Sequence, residues 1–190
     1  LSRARAANLL RWFLRRHALC APSERRLAAM IETLAGPARP ASLRIVHDGM
    51  ELGIHRGRIL VHDPPVARYA LPWDGRPRVS LAHGELAFTS ATGDGVAAAW
   101  LDRAQVSIRS GVPGEHLQRR SGHPRHLVSD LLREAGVPAW ERAYLPRIYC
   151  GDALAAVPMA GVDAAFAAAP GMPGTRIEWQ PSKPARMLEL

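Results

Sequence analysis

The chain has 190 residues, 47% apolar and 22% charged, an ordinary globular composition that can fill one or two domains, each with its own core. Its apolar runs are short and broken by proline, glycine or charge, so none spans a bilayer; Cys20 and Cys150 stand far apart with no CxxC spacing, which leaves zinc-finger and dithiol chemistry unsupported. The net charge is +8, and every basic residue except Lys183 is arginine, whose planar donor fork matches phosphate, so the balance favours an anionic, nucleic-acid partner. A GC-rich genome would also encode this excess of arginine, alanine, glycine and proline. That accounts for arginine over lysine but does not by itself unbalance bases against acids.

The first residues read as an arginine-rich amphipathic helix rather than a secretory signal. With no initiator methionine at Leu1, the simplest reading is a piece of a larger protein. Over Arg3–His17 the apolar residues Ala6, Leu9, Leu10, Phe13 and Leu14 recur at helical spacing, with Arg5, Arg11, Arg15 and Arg16 off that stripe. A second helix starts after Pro22, with Ser23 as N-cap and a stripe of Leu27, Met30, Ile31 and Leu34; it stops at Gly36-Pro37. Three strands follow, 43–47, 50–55 and 58–62, joined by Asp48-Gly49 and Arg56-Gly57 turns. Asp63-Pro64-Pro65 then breaks the pattern as a linker.

From Ala70 the reading is mostly β. Strands at 78–82 and 85–89 flank His83-Gly84, and Ser90–Gly95 reads as a small-residue hairpin loop. A strand at 104–109 leads to the Gly111-Val112-Pro113-Gly114 turn, then a helix from Pro124 or Arg125 to Ala135. Strands at 147–150 and 154–157 surround Gly151-Asp152, a short one covers 161–167, and the Pro/Gly-rich remainder reads as frayed. The fold class is therefore α+β: an N-terminal helical hairpin with a small β meander, then a mostly antiparallel β domain carrying one helix. The expected domains are 1–64 and 70–172, with 173–190 as a tail.

Several catalytic signatures are missing from the sequence: GxxxxGK[ST], GxSxG and HExxH. His123 and His126, spaced i, i+3, lack a third ligand at a convincing spacing, so no metal site is expected. Arg109, Arg119, Arg120 and Arg125 gather in sequence around the Gly111–Gly114 turn, opposed only by Glu115, and could converge on phosphate or simply be solvated. Trp140 reads as a core plug at the helix-to-strand crossover. Glu141 and Arg142 could form ion pairs or touch RNA, and Trp12, flanked by arginines, reads as packed.

The order of elements from Val106 to Phe166, centred on Val137-Pro138-Ala139-Trp140-Glu141-Arg142, resembles the C-terminal domain of the tRNA(Ile)-lysidine synthetases. Residues 1–62, with their Arg-rich first helix, the Pro22-Ser23 helix start and the Glu51–Val61 hairpin, resemble the same family's middle, substrate-binding domain. The sequence departs from the family at Val128, where many members carry lysine. It departs again at Arg147, where leucine is frequent, and at Met159, where glycine commonly follows Val-Pro. The resemblance implies that this region grips tRNA(Ile) and contributes RNA contacts from Arg109, Arg119, Arg120, Arg125, Arg142, Arg11 and Arg15, with no catalytic residue of its own.

In that family an ATP-pyrophosphatase domain, using ATP and magnesium, adenylates the wobble cytidine, and L-lysine displaces AMP. Its Ser-Gly-Gly-x-Asp-Ser loop does not occur in these 190 residues. The expectation is thus a bacterial, cytoplasmic, tRNA-modifying ligase whose catalytic domain lies elsewhere, with this region inactive alone. No membrane partner is expected, and a homodimer is left open. Two other readings stand beside it: a freestanding basic nucleic-acid-binding module, and an interaction module whose arginines reflect genome composition alone.

Overall fold

A computed structural model of the chain describes residues 2–36, 43–182 and the backbone of 186–187. Contacts divide the chain into Leu1–Pro64 with Pro184–Leu190, and Pro65–Lys183.

In the first unit the helices begin where serine side chains accept the orphan amides. Ser2 caps α1 (Arg3–Arg16) and Ser23 caps α2 (Glu24–Ala35). Leu10, Phe13 and Leu14 of α1 meet Leu27, Met30 and Leu34 of α2 in one core. Ile45, Leu52 and Val61 join it from β1 (Arg44–His47), β2 (Met50–His55) and β3 (Arg58–His62). Both hairpins close on two successive residues with positive φ, Asp48-Gly49 (52° and 74°) and Arg56-Gly57 (50° and 78°). That is the backbone of tight turns whose twist matches the strands. The strand Arg186–Met187 pairs with β3 and adds a fourth to this antiparallel sheet.

Two ionisable side chains of this meander are buried. Glu51 is buried and takes a two-pronged bond from the Arg44 guanidinium. His62, on β3, is also buried, and burial lowers its pKa, against the carbonyl of Asp63 and the Glu51 carboxylate. The folded state thus holds His62 neutral where the unfolded chain would take up a proton. Stability from this group should be complete above the ordinary histidine value, about 6.5, and be lost as pH falls through it. Urea unfolding at pH 7.5 and 5.5 should show the loss, and His62→Gln should flatten the difference.

The second unit is antiparallel throughout. Its strands are β4 (Ala70–Pro72), β5 (Arg78–Leu81), β6 (Gly84–Thr92), β7 (Val96–Ala97), β8 (Val106–Ser110), β9 (His116–Leu117), β10 (His126–Leu127), β11 (Pro146–Cys150), β12 (Ala153–Val157), β13 (Gly161–Val162) and β14 (Pro173–Pro181). They form a five-stranded sheet in the order β13-β12-β11-β8-β4, a four-stranded sheet β5-β6-β14-β7 and the small β10-β9 pair. One core draws on both large sheets: Leu86, Phe88 and Val96 pack with Val106, Ile108, Ile148 and Ala156. A second core gathers around a helix, Leu131 and Leu132 meeting Leu117, Val137, Leu145 and Val157. No helix among the described residues is long and apolar enough to cross a membrane.

Several expectations need correction. The α+β class holds, but the second unit carries three short helices: α3 (Ala98–Arg103), α4 (Val128–Glu134) and α5 (Ala139–Arg142). The expected helix start at 124–125 is too early, because His126–Leu127 pair with Leu117–His116 before α4 begins. Ser90–Thr92 belong to β6 rather than a loop, and the strand at 161–167 is limited to Gly161–Val162.

The largest correction concerns the expected tail, 173–190. Residues 173–181 are β14, which pairs with β6 along its whole length and with β7 on its other edge. Its glycine marks close approach of backbones rather than looseness: a Cβ at Gly174 would come within 2.2 Å of the Asp94 carbonyl oxygen.

Candidate nucleic-acid interface

The Gly111–Gly114 turn leaves β8 and is held from below by one carboxylate. Glu115 Oε2 accepts the Val112 amide at 3.0 Å and Arg147 Nε at 3.1 Å, while Oε1 accepts the Tyr149 hydroxyl. Arg147 is fully engaged: its other guanidinium nitrogens donate to the carbonyls of Leu145 (2.9 Å) and Arg142 (3.0 Å). Burial pulls the Arg147 pKa down, and Glu115 acts against that shift. Burial, reinforced by Glu115, pushes the Tyr149 phenol up to about 12, so the hydroxyl stays protonated and donates. Gly111 lies directly over this arginine; a Cβ there would come within 2.6 Å of Arg147 Nη2.

A cleft of about 480 Å³ opens beside the turn, lined by residues 111–115, by Leu127–Ser129, by α5 and by Arg68. Arg142, half-buried in α5, donates Nε to the Val137 carbonyl at 2.9 Å. Arg68 is exposed. Neither Arg68 nor Arg142 has a carboxylate within ion-pair distance among the described residues.

The arginines expected around the turn are not brought together there. Arg109 folds back along β8: it donates to Ser107 and, at 3.1 Å, to the Gly151 carbonyl, and lies 4.4 Å from the Tyr149 ring centre. Arg125 is anchored on His116 O and on buried Asp163, 3.5 Å away. Arg119 lies against Gly161 and lines a separate, shallower cleft with Arg176, which is bound to Asp94 at 2.7 Å. Arg120 is exposed at a bend, and no described carboxylate pairs with Arg119 or Arg120. His123 and His126 are both exposed, and no cluster of three or more metal-ligating side chains exists among the described residues.

In the first unit Arg11 pairs with Glu24 and Asn8, and Arg15 is exposed. Trp12, expected to be packed, is 49% exposed, with the Arg16 guanidinium 5.6 Å from its ring centre. Trp140 is buried, as its place at the crossover suggested.

Sequence reasoning missed Arg147, Glu115 as its partner, and Arg68. A signal for the first two was present. Arg147 stands mid-strand among apolar residues, and Glu115 is the single acid between Asp102 and Asp130.

Two family models match this chain in order along it. The TilS substrate binding domain matches residues 1–60, and the TilS substrate C-terminal domain matches residues 106–179, so the second match covers the turn, β14 up to Trp179 and every residue lining the cleft except Arg68. The chain belongs to the TilS family. Similar curated TilS-type relatives carry the name tRNA(Ile)-lysidine synthase. That of Nitrosomonas europaea is 32% identical over 96% of this chain and 41% of its own length. Those of Aromatoleum aromaticum (31%; 95% and 43%) and Burkholderia pseudomallei (30%; 93% and 44%) are similar. The chain thus spans less than half the length of these relatives. A crystal structure of a TilS C-terminal domain overlays with a TM-score of 0.49 at 14% identity, over 62% of this chain and all of that one.

Proposed function

We propose that this chain is the tRNA-gripping region of a tRNA(Ile)-lysidine synthetase. It holds tRNA(Ile) so that the anticodon wobble cytidine meets an ATP-pyrophosphatase domain that attaches L-lysine, with ATP and magnesium bound on that domain. Residues 1–64 serve as the substrate-binding unit, and residues from 70 onward, through β14, as the C-terminal RNA-binding unit. The observation that carries this reading is the order of the two TilS domain matches on one chain of net charge +8. The contribution to catalysis is positioning. Holding a substrate in reactive geometry can lower a barrier by several kcal/mol, on the order of the effects measured for oriented reactants, without an acid or base from this region.

Of the arginines proposed to contact RNA, Arg15, Arg119 and Arg120 are the most available: each is exposed, and none is tied to a carboxylate among the described residues. Arg109, Arg125, Arg142 and Arg11 would have to contact phosphate while keeping their present partners. Phosphate contacts orient an RNA without reading its sequence. Arg119→Ala with Arg120→Ala should therefore weaken binding of tRNA(Ile) and of an unrelated tRNA by similar factors. The log–log salt slope should flatten by about 0.9 for each lost contact, taking the duplex-DNA value as the guide. Fluorescence anisotropy across a salt series measures both; wild-type affinity and slope in the double variant would reduce this patch to a solvated face.

A further inference from the structure

The cleft beside the Gly111–Gly114 turn combines two features that a plain phosphate-binding surface does not need. The first is a concave apolar wall. Val112 is 51% exposed and Leu127 37%, and these two open apolar side chains line the same cleft as Pro113. Exposed apolar groups gathered in one hollow mark a binding site more often than scattered ones do. The second feature is charge. The lining holds three guanidinium groups, Arg68, Arg142 and Arg147, against one carboxylate, Glu115, which Arg147 matches at 3.1 Å. Two cations are left over. Arg142 is half-buried and repelled by Arg133, and both effects lower its pKa, with Asp130 acting against them from outside the cleft lining. An anion in the cleft would offset both by attraction.

The dimensions select the occupant. About 480 Å³ falls within the usual range for a small-molecule site, about 300–1,000 Å³. A duplex meets protein through phosphates and groove edges, with its bases stacked inside. A base reaches an apolar hollow only after leaving the stack. The site is also preformed, because the Val112 amide and Arg147 are both tied to Glu115. We infer that this cleft holds one unpaired nucleotide of an RNA strand, its phosphate on Arg68 and Arg142 and its base against Val112, Pro113 and Leu127. The inference rests on the proposed binding of tRNA by this chain. It adds that single-stranded RNA is held at a place distinct from the Arg119–Arg120 surface.

The test uses the whole 190-residue chain, a labelled single-stranded oligoribonucleotide with a 5′-phosphate, and a blunt RNA duplex. Arg68 and Val112 are exposed, so their replacement should leave the fold intact, which circular dichroism checks. Arg68→Ala should lower single-strand affinity by about tenfold, the effect of one lost bond to a charged group. Val112→Asn should lower it by about threefold, through lost apolar contact. Neither should change duplex affinity, whereas Arg119→Ala with Arg120→Ala should weaken both RNAs. Equal losses on the two RNAs for Arg68→Ala, or no loss on the single strand for either variant, would overturn the cleft assignment and leave the tRNA proposal standing. A wild-type chain that binds neither RNA would overturn both.

Discussion

Glu115→Ala should destabilise the second unit by about 3–5 kcal/mol, the usual cost of stripping a buried cation of its partner. The Arg147 side chain is 4% exposed and that of Glu115 11%, so water replaces the lost carboxylate only in part. The same change removes the acceptor of the Val112 amide and of the Tyr149 hydroxyl, and so frees the Gly111–Gly114 turn. A double-mutant cycle separates these effects. Combining Glu115→Ala with Arg147→Leu deletes both charges, and apolar replacement of a buried pair is often close to neutral. The double variant should therefore melt above Glu115→Ala alone. Simple additivity in urea unfolding would mean that the pair is not coupled, and that the turn is held by other contacts.

Trp140→Ala should have an effect of similar size. Removing a buried tryptophan typically costs about 3–5 kcal/mol through lost contacts and the cavity left behind, a large share of a small domain's stability. Trp140 is 9% exposed on α5. Its neighbour Glu141 is raised in pKa by burial, with the nearby Trp140 ring acting against that shift, so the substitution also removes a group that favours the carboxylate. Thermal melts followed by circular dichroism should show a clear fall, with RNA affinity of the remaining folded protein little changed. An unchanged melting temperature with weakened RNA binding would place the ring on the RNA instead.

The first unit was largely legible in the sequence because its determinants are local. Helical spacing, serine caps and two tight turns each act within a few residues, and β2 and β3 fall at the expected bounds. The second unit was less so, because its determinants are distant. The frayed reading of 173–181 came from proline and glycine content. What decides the matter is pairing with β6, whose nearest residue in sequence is Thr92. The arginine cluster failed for a related reason. Closeness in sequence to one turn says nothing about where each side chain is drawn. Arg109 runs back along its strand to Gly151, and Arg125 is held by Asp163. Both anchors come from parts of the chain well beyond the turn, so nothing near these arginines could reveal them.

The strand order β5-β6-β14-β7 has a consequence for how this protein is made. β14 lies between β6 and β7, yet the ribosome adds it about eighty residues after both. Until it emerges, β6 and β7 have no partner between them, and the edge of β6 stands open to any other extended chain. Non-local pairing of this kind closes slowly, because a long loop must be ordered before any contact forms. Synthesis that halts before Pro173 would thus release an open-edged chain rather than a shortened domain. Such a product would be prone to pair with its neighbours through that edge.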